Sequence, residues 1–231
     1  MRSTHRPLTA AALMAALLLA GCGAGGYADA EADATTSDAD GAPTATEAPD
    51  VATVGLPAPD FTLTDVAGNT VTLSELTGAG KTVVLEWFNP DCPVSKAYHV
   101  PESVMTPMAN EFASKDVTWL AINSGGAGLQ GNGLERNQRA VDEFAMSFPV
   151  LLDESGEVGR RYAAKRTPHM YVIDPDGLLR YAGAIDDGDS RTPGDVNFVR
   201  QALDQLLADA DITVPTSKAF GCSVKYAKTY E

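Results

Sequence analysis

The chain has 231 residues, 44% of them apolar, and a formal net charge of −14. That is enough apolar material for one domain of ordinary size with appendages. The excess of acid argues against a nucleic-acid partner, since few cations are available to neutralise phosphates, and against docking on anionic membrane surfaces by charge alone.

The N-terminus carries Arg2, His5 and Arg6, then an apolar run from Leu8 to Ala20. The run is too short to cross a bilayer as a stable helix, and the layout over 1–21 is that of a secretory signal. It ends in Leu19-Ala20-Gly21-Cys22, a tetrapeptide that resembles the bacterial lipobox. The resemblance implies lipidation of Cys22, which becomes the first mature residue. A lipid-anchored protein of the cell envelope follows, since several acyl chains anchor stably where a single one is marginal. Gly23 after the Cys, in place of Asp, implies the outer membrane by the sorting rule for such lipoproteins. An ordinary signal with a chance Cys is the alternative. Residues 22–53 contain no Lys, Arg, Leu, Ile or Phe and are rich in Ala, Gly, Thr, Asp and Glu. No core can form from them, so they read as a disordered acidic tether.

From Val54 the pattern becomes that of a folded domain, expected over 54–210. Alternation from Leu63 to Leu73 around Ala67-Gly68-Asn69 predicts a hairpin. Ser74-Glu75-Leu76 predicts a helical turn. The apolar run Val83 to Phe88 predicts a buried strand. A helix is expected from about Cys92 to Phe112, kinked or broken at Pro101 and Pro107. Val117 to Asn123 is a strand and Gly-rich 124–133 a flexible loop. Leu134 to Met146 is helical. Phe148 to Leu152 is a short strand entered through Pro149, hence near an edge. A short helix over Val158 to Ala164 precedes strands at His169 to Asp174 and Leu179 to Ile185, joined by Pro175-Asp176-Gly177. An amphipathic helix spans Val196 to Ala208, and a tail over 211–231 carries Cys222. Strands alternating with helices define an α/β class with a partly parallel central sheet.

There are three cysteines. With Cys22 taken by lipid, Cys92 and Cys222 remain, one candidate pair in an oxidising compartment. Cys92 stands at a strand-to-helix turn. A thiol there faces unpaired backbone N–H groups and the positive end of the helix dipole, both of which favour the nucleophilic thiolate. Pro93 in the first helical turn sacrifices no hydrogen bond. A buried structural Cys is the alternative reading.

The segment Val83-Val84-Leu85-Glu86-Trp87-Phe88-Asn89-Pro90-Asp91-Cys92-Pro93-Val94-Ser95-Lys96 resembles the active-site segment of thioredoxin-like proteins. Cys92 falls on the first Cys of their Cys-x-x-Cys, and Ser95 on the second. Arg166-Thr167-Pro168, before a strand, matches the place where those proteins carry a cis-proline. The resemblance implies a thioredoxin fold, a three-layer α/β/α sandwich with a central mixed sheet, here with an N-terminal hairpin extension and a C-terminal tail. It implies that Pro168 is cis, and that the backbone around Thr167 and Pro168 pairs with a substrate's extended chain. Four stretches resemble the peroxiredoxin-like branch of the redoxin group, related to the alkyl hydroperoxide reductase and thiol-specific antioxidant family. They are Ala58-Pro59-Asp60-Phe61, Asn89 to Pro93, Val117 to Asn123, and Phe220-Gly221-Cys222-Ser223-Val224-Lys225-Tyr226. The branch implies a cofactor-free thiol oxidoreductase in which Cys92 reduces peroxide, Cys222 resolves the product and an external thiol returns the electrons. The chain departs from true peroxiredoxins at Asn89 and Leu85, which stand where their signature has Thr and Pro. Asn89 is then the candidate donor to substrate, beside Pro93, Ser95, Thr167 and Pro168. The alternatives are disulfide exchange on envelope proteins and a non-catalytic thioredoxin-fold binding module.

Glu86 lies in an otherwise apolar strand. If buried, it can relay a proton to Cys92; otherwise it is a solvent-facing Glu. Lys96 and His99 are expected on a solvated helix face. His169, next to Pro168, can lie near Cys92, where catalysis, packing and substrate contact are the open readings. No metal site is expected, because the His and Cys lack ligand spacing. Cys222 can be the resolving thiol, a static staple for the tail, or a link between chains.

Overall fold

The computed structural model describes residues 51–100, 103–190 and 192–228. The expected signal, the lipidation site Cys22 and nearly all of the tether lie outside the described residues.

Strands β1 (Thr62–Asp65) and β2 (Thr70–Thr72) form the expected antiparallel hairpin. Its turn is held by the Asp65 carboxylate, which accepts from the N–H groups of Ala67 and Asn69 at 2.9 and 2.8 Å. A short helix α1 (Leu73–Gly78) leads into β3 (Thr82–Trp87), buried along its whole length. The helix expected from Cys92 to Phe112 is two helices, α2 (Pro93–His99) and α3 (Met105–Ala113). The break falls around Pro101, itself outside the described residues. Pro107 lies in the first turn of α3, where its missing N–H interrupts nothing.

The chain continues through β4 (Val117–Asn123), α4 (Leu134–Glu143), β5 (Val150–Leu152), α5 (Glu157–Arg161), β6 (Arg166–Thr167), β7 (His169–Ile173), β8 (Leu179–Gly183), α6 (Phe198–Leu207) and β9 (Cys222–Ser223). The main sheet has the order β2-β1-β5-β4-β3-β7-β8, and β6 pairs with β9 in a separate ribbon. β3, β4 and β5 are mutually parallel, as crossover connections require, while β7 and β8 close the sheet antiparallel.

Side-chain alternation along β3 sorts the core into two layers. Val84 and Phe88 face a cluster built with Tyr98 of α2, Met108 and Phe112 of α3, Ala140 of α4 and Leu203 of α6. Val83, Leu85 and Trp87 face the other cluster, with Leu73 of α1, Val158 of α5 and Tyr162. Helices therefore cover both faces, and the fold is the thioredoxin-like α/β/α sandwich expected. Trp87, Tyr162 and Tyr171 form a ring cluster with centroids 5.1 to 5.4 Å apart in the second of these layers.

Two expectations are corrected. β5 is not near an edge, because the N-terminal hairpin adds to it, with Thr64 opposite Leu152 and Asp65 opposite Leu151. Pro149 lies one residue outside the strand, and its carbonyl accepts from Ala121 N–H at 3.0 Å. The Gly-rich segment 124–133 is not a free loop but is pinned by side-chain amides. Asn123 Nδ2 donates to Gly131 O at 2.7 Å and to Asn137 Oδ1 at 2.9 Å, and Asn137 Nδ2 donates to the carbonyls of Gly131 and Gly133. Asn132 Nδ2 donates to Gly125 O at 2.6 Å. Asn137→Leu removes both Nδ2 bonds of Asn137 and the Oδ1 acceptor of Asn123, while Asn123 Nδ2 still donates to Gly131 O. The expected loss is about 1–3 kcal/mol, measured by urea unfolding, with faster amide exchange across 124–133.

Candidate active site

β3 ends at Trp87, and the turn that follows aims Cys92 at the start of α2. Asn89 builds that turn. Its Oδ1 accepts from Asp91 N–H at 2.8 Å and its backbone carbonyl accepts from Cys92 N–H at 3.1 Å. Its Nδ2 donates to Gln130 O at 3.0 Å, which ties the turn to the pinned segment. Gly131 has no room for a Cβ because the Asn89 amide fills the space. Asn89 was expected to offer a hydrogen bond to substrate. The structure instead buries it and engages both ends of its amide in the scaffold.

Cys92 is the N-cap of α2, and its sulfur accepts from Ser95 N–H at 3.5 Å. Pro93 takes the first helical position, exposed. The Cys92 thiol donates to the Thr167 carbonyl at 3.1 Å, and the Thr167–Pro168 peptide is cis. Pro168 thus stands opposite the thiol, as the resemblance implied. Ser95 is buried, and its hydroxyl has no hydrogen-bond partner among the described residues.

The tail completes the site. β9 runs antiparallel to β6, with Cys222 opposite Thr167. Gly221 has φ +114, and a Cβ on it would strike the Thr167 carbonyl oxygen. Phe220 and Cys222 pack on the core cluster that contains Cys92, and Phe220 lies 6.2 Å from the Tyr98 ring. Beyond them Lys225 O accepts from Gly126 N–H at 2.8 Å, and Tyr226 OH donates to Ala164 O at 2.8 Å. Side chains at Gly126, Gly156 or Gly159 would collide with Tyr226 or Ala227. Two thiols 130 positions apart in the chain therefore meet at one carbonyl, both in the free form.

Burial pushes the Cys92 thiol up, but hydrogen bonding from the Cys222 side chain, from Thr167 and from the N–H groups of Ser95 and Cys222 outweighs it, so its pKa lies below the ordinary thiol value. The Thr167 hydroxyl is buried and has no hydrogen-bond partner among the described residues. Cys222 moves the opposite way, to about 11, through burial first and then through its bond and charge interaction with Cys92. The site thus pairs one thiol held ready to ionise with one held protonated. The ionised sulfur is the nucleophile in exchange chemistry.

Glu86 is fully buried, which decides between its two expected settings. Its Oε1 lies 2.6 Å from His99 Nε2, and its Oε2 accepts from Trp119 Nε1 at 3.3 Å. His99 was expected on a solvated face and is instead 1% exposed, enclosed by Phe88, Phe144 and Phe148. It shares the buried face of α2 with Val94, Ser95 and Tyr98. His99 lies seven residues beyond Cys92, about 10 Å along the helix axis, and among the described residues no hydrogen bond joins the Glu86–His99 pair to the thiol. Lys96 stays at the surface, 3.8 Å from Glu143. His169 accepts from or donates to Tyr171 OH at 3.0 Å. Burial, and then the Lys165 charge, lower its pKa to about 4.

Sequence reasoning missed Arg136. From α4 its Nε donates to Asp91 Oδ1 and its NH2 to Pro90 O, each at 2.9 Å. A cation is thereby fixed on the carboxylate that precedes Cys92 in the chain. An Arg on a polar helix face carries no sequence signal for such a contact, because Asp91 is 45 positions away.

These features define the class: a thioredoxin-fold thiol site with an opposing cis-proline and its second thiol delivered by the tail. Residues 54–182 match the AhpC/TSA family model, and the chain belongs to that family. It is 34% identical over 130 residues to a thiol-disulfide oxidoreductase ResA of Oceanobacillus iheyensis, a match spanning 54% of this chain and 62% of that protein. It is 30% identical over 131 residues to the protein of the same name in Geobacillus kaustophilus, covering 55% and 67%. Among solved structures, a hypothetical protein of Sinorhizobium meliloti 1021 superposes with a TM-score of 0.70 at 28% identity, covering 77% of this chain and 96% of that one. An uncharacterised conserved protein of Geobacillus kaustophilus gives a TM-score of 0.70 at 30% identity, covering 77% and 94%.

Two outcomes follow. Cys222→Ala removes a donor to the Cys92 sulfur, whereas Cys222→Ser keeps one. The pH midpoint of Cys92 alkylation should therefore lie higher in the Ala variant than in the Ser variant. His169 has a folded pKa below its ordinary 6.5. Its neutral form thus supports the fold fully above about 6.5, and the support is lost as pH falls towards 4. In His169→Gln, unfolding free energy should fall less steeply with pH across that window.

Proposed function

We propose that this protein is a thiol-disulfide oxidoreductase in which Cys92 is the nucleophile and Cys222 the resolving thiol. The observation that carries this reading is the position of Cys222, paired opposite Thr167, the residue whose carbonyl accepts from the Cys92 thiol at the start of α2. In the reducing direction, the Cys92 thiolate attacks one sulfur of a substrate disulfide. A Cys92–substrate disulfide forms and the other substrate sulfur leaves as a thiolate that takes up a proton. Cys222 then loses its proton and attacks the Cys92 sulfur. The Cys92–Cys222 disulfide forms and the second substrate thiol departs. Two electrons have moved from the cysteine pair to the substrate, and an external dithiol restores the pair. The same steps run backwards in the oxidising direction.

Peroxide reduction is the reading that the Asn89 geometry disfavours. A peroxide needs a donor that polarises the departing oxygen, and the Asn89 amide at that place is engaged with Asp91 and Gln130. The names of the curated relatives favour disulfide exchange as well. The neighbouring positions of the two thiols favour a resolving pair over a link between chains. A ribbon that already holds the tail by backbone pairing leaves a static staple with less to do. Thr167 and Pro168 would present backbone to the substrate, and Pro93 and Ser95 would line the approach. We place the protein in the cell envelope, anchored through lipidated Cys22.

The test follows the adducts by mass spectrometry after mixing reduced protein with a disulfide such as oxidised glutathione. Wild type should accumulate a Cys92–Cys222 disulfide, and Cys222→Ser should stop at a glutathione adduct on Cys92. Cys92→Ser should lose at least about a hundredfold in exchange rate. An adduct that forms first on Cys222, with Cys92→Ser unimpaired, would reverse the assigned roles. Faster reaction with hydrogen peroxide than with any disulfide would restore the peroxidase reading.

A further inference from the structure

Cys92 has no exposed surface, so a partner disulfide cannot reach its sulfur while the molecule stays as it is. The cover is the tail. Its attachment is uneven along its length. Pro215 to Ser217 are anchored on β8: Ala182 N–H donates to Pro215 O, Ser217 N–H donates to Ala182 O, and Ser217 Oγ accepts from Ala184 N–H. Gly183 leaves no room for a side chain beneath Ser217. After Lys218 and Ala219 the chain becomes a lightly held strand. Beyond the two-residue ribbon, its backbone is fixed by Val224 N–H to Lys165 O at 3.3 Å, Gly126 N–H to Lys225 O at 2.8 Å and Arg160 to Ala227 O at 2.9 Å. Most of its residues are only half-buried. Segments of this kind open locally at far lower cost than core strands.

The way this strand sits is that of a bound peptide. It adds antiparallel to Arg166–Thr167, places a cysteine beside Cys92, and passes the Thr167 carbonyl with a glycine. We propose that Phe220–Ala227 is a tethered occupant of a polypeptide-docking groove, and that a partner reaches Cys92 by laying an extended cysteine-bearing strand in its place on Arg166–Thr167. The partner half of this inference rests on the disulfide-exchange reading; the covering role of the tail does not. The hinge is Lys218-Ala219, and the anchored Pro215–Ser217 stays on β8 when the strand lifts. The carbonyl at Thr167 selects the occupant: the residue before the partner's cysteine has to be glycine to lie as Gly221 does. The partner's cysteine arrives in a disulfide, Cys92 takes its sulfur, and the leaving sulfur is protonated. When the tail returns, Cys222 displaces the partner and refills the groove.

The test uses the full chain carrying Cys222→Ser, so that only Cys92 reports. Iodoacetamide alkylation of Cys92 should be slow under native conditions. Adding Gly221→Ala should accelerate it at least about tenfold by ejecting the strand. Adding Tyr226→Ala instead should do the same from the remote end of the strand, where Tyr226 packs on Gly156, Gly159 and Arg160. Circular dichroism and the urea midpoint check that each variant keeps its core. Unchanged alkylation in both variants overturns the covering role.

The second arm supplies peptides whose cysteine is a mixed disulfide with thionitrobenzoate, one with Gly before the cysteine and one with Ala. Attack on the peptide sulfur releases the chromophore and leaves the peptide on Cys92. The Gly peptide should react at least about tenfold faster than the Ala peptide, and Tyr226→Ala should raise its rate by the same factor as alkylation. Equal rates for the two peptides overturn the docking geometry. Faster alkylation with no exchange on either peptide leaves the tail as a cover and overturns the exchange reading itself.

Discussion

The carbonyl of Thr167 is the point on which the site depends. It accepts from the Cys92 thiol, it belongs to the peptide that leads into Pro168, and the strand pairing around it holds the tail. Three stretches of chain with no local relation, at 92, 167 and 222, are brought into register by that one group. Helix α2 contributes the N–H of Ser95 to the sulfur, and β3 with the Asn89 turn decides how high the sulfur stands. The ring cluster of Trp87, Tyr162 and Tyr171 fills the core layer on the other side of β3 from the cluster that contains Cys92. Its edge-on and tilted ring contacts add to their apolar burial.

Chemical asymmetry between the two sulfurs comes from the same arrangement. The Cys92 pKa is lowered despite its burial, whereas burial raises that of Cys222 and its proximity to Cys92 raises it further. A thiol of lower pKa leaves more readily from a disulfide.

Much of this was legible in the sequence, and the reasons for the rest are physical. β3, β4 and β7 announce themselves as apolar runs, and the thiol at a helix start follows from Asp91-Cys92-Pro93. Those are local patterns. What escaped were contacts between distant positions. His99 looked like a surface residue because its helix face is otherwise mixed; its burial depends on Glu86, thirteen positions earlier on a strand. The ordering of 124–133 depends on Asn123, Asn132 and Asn137, and a glycine-rich stretch gives no sign that amides will hold it. Pro149 suggested an edge, but whether a strand is covered depends on where a separate hairpin goes. Gly221 was visible as part of a motif, yet its purpose became clear only beside the Thr167 carbonyl. Glycines 126, 156 and 159 likewise look like ordinary turn residues until Tyr226 and Ala227 are laid over them.

The separation of the two thiols along the chain has a thermodynamic consequence. A bond between Cys92 and Cys222 would close a loop that contains four of the seven strands of the main sheet, and chain-entropy arguments assign closure of a loop that long about 5 kcal/mol. Folding and oxidation are then two legs of one cycle. Whatever oxidation adds to the persistence of the fold, the fold adds to the persistence of the bond. Heat tolerance in such a molecule would rise and fall with its electron count, and the whole domain, more than the few atoms around the sulfur, would set how tightly the pair holds its electrons.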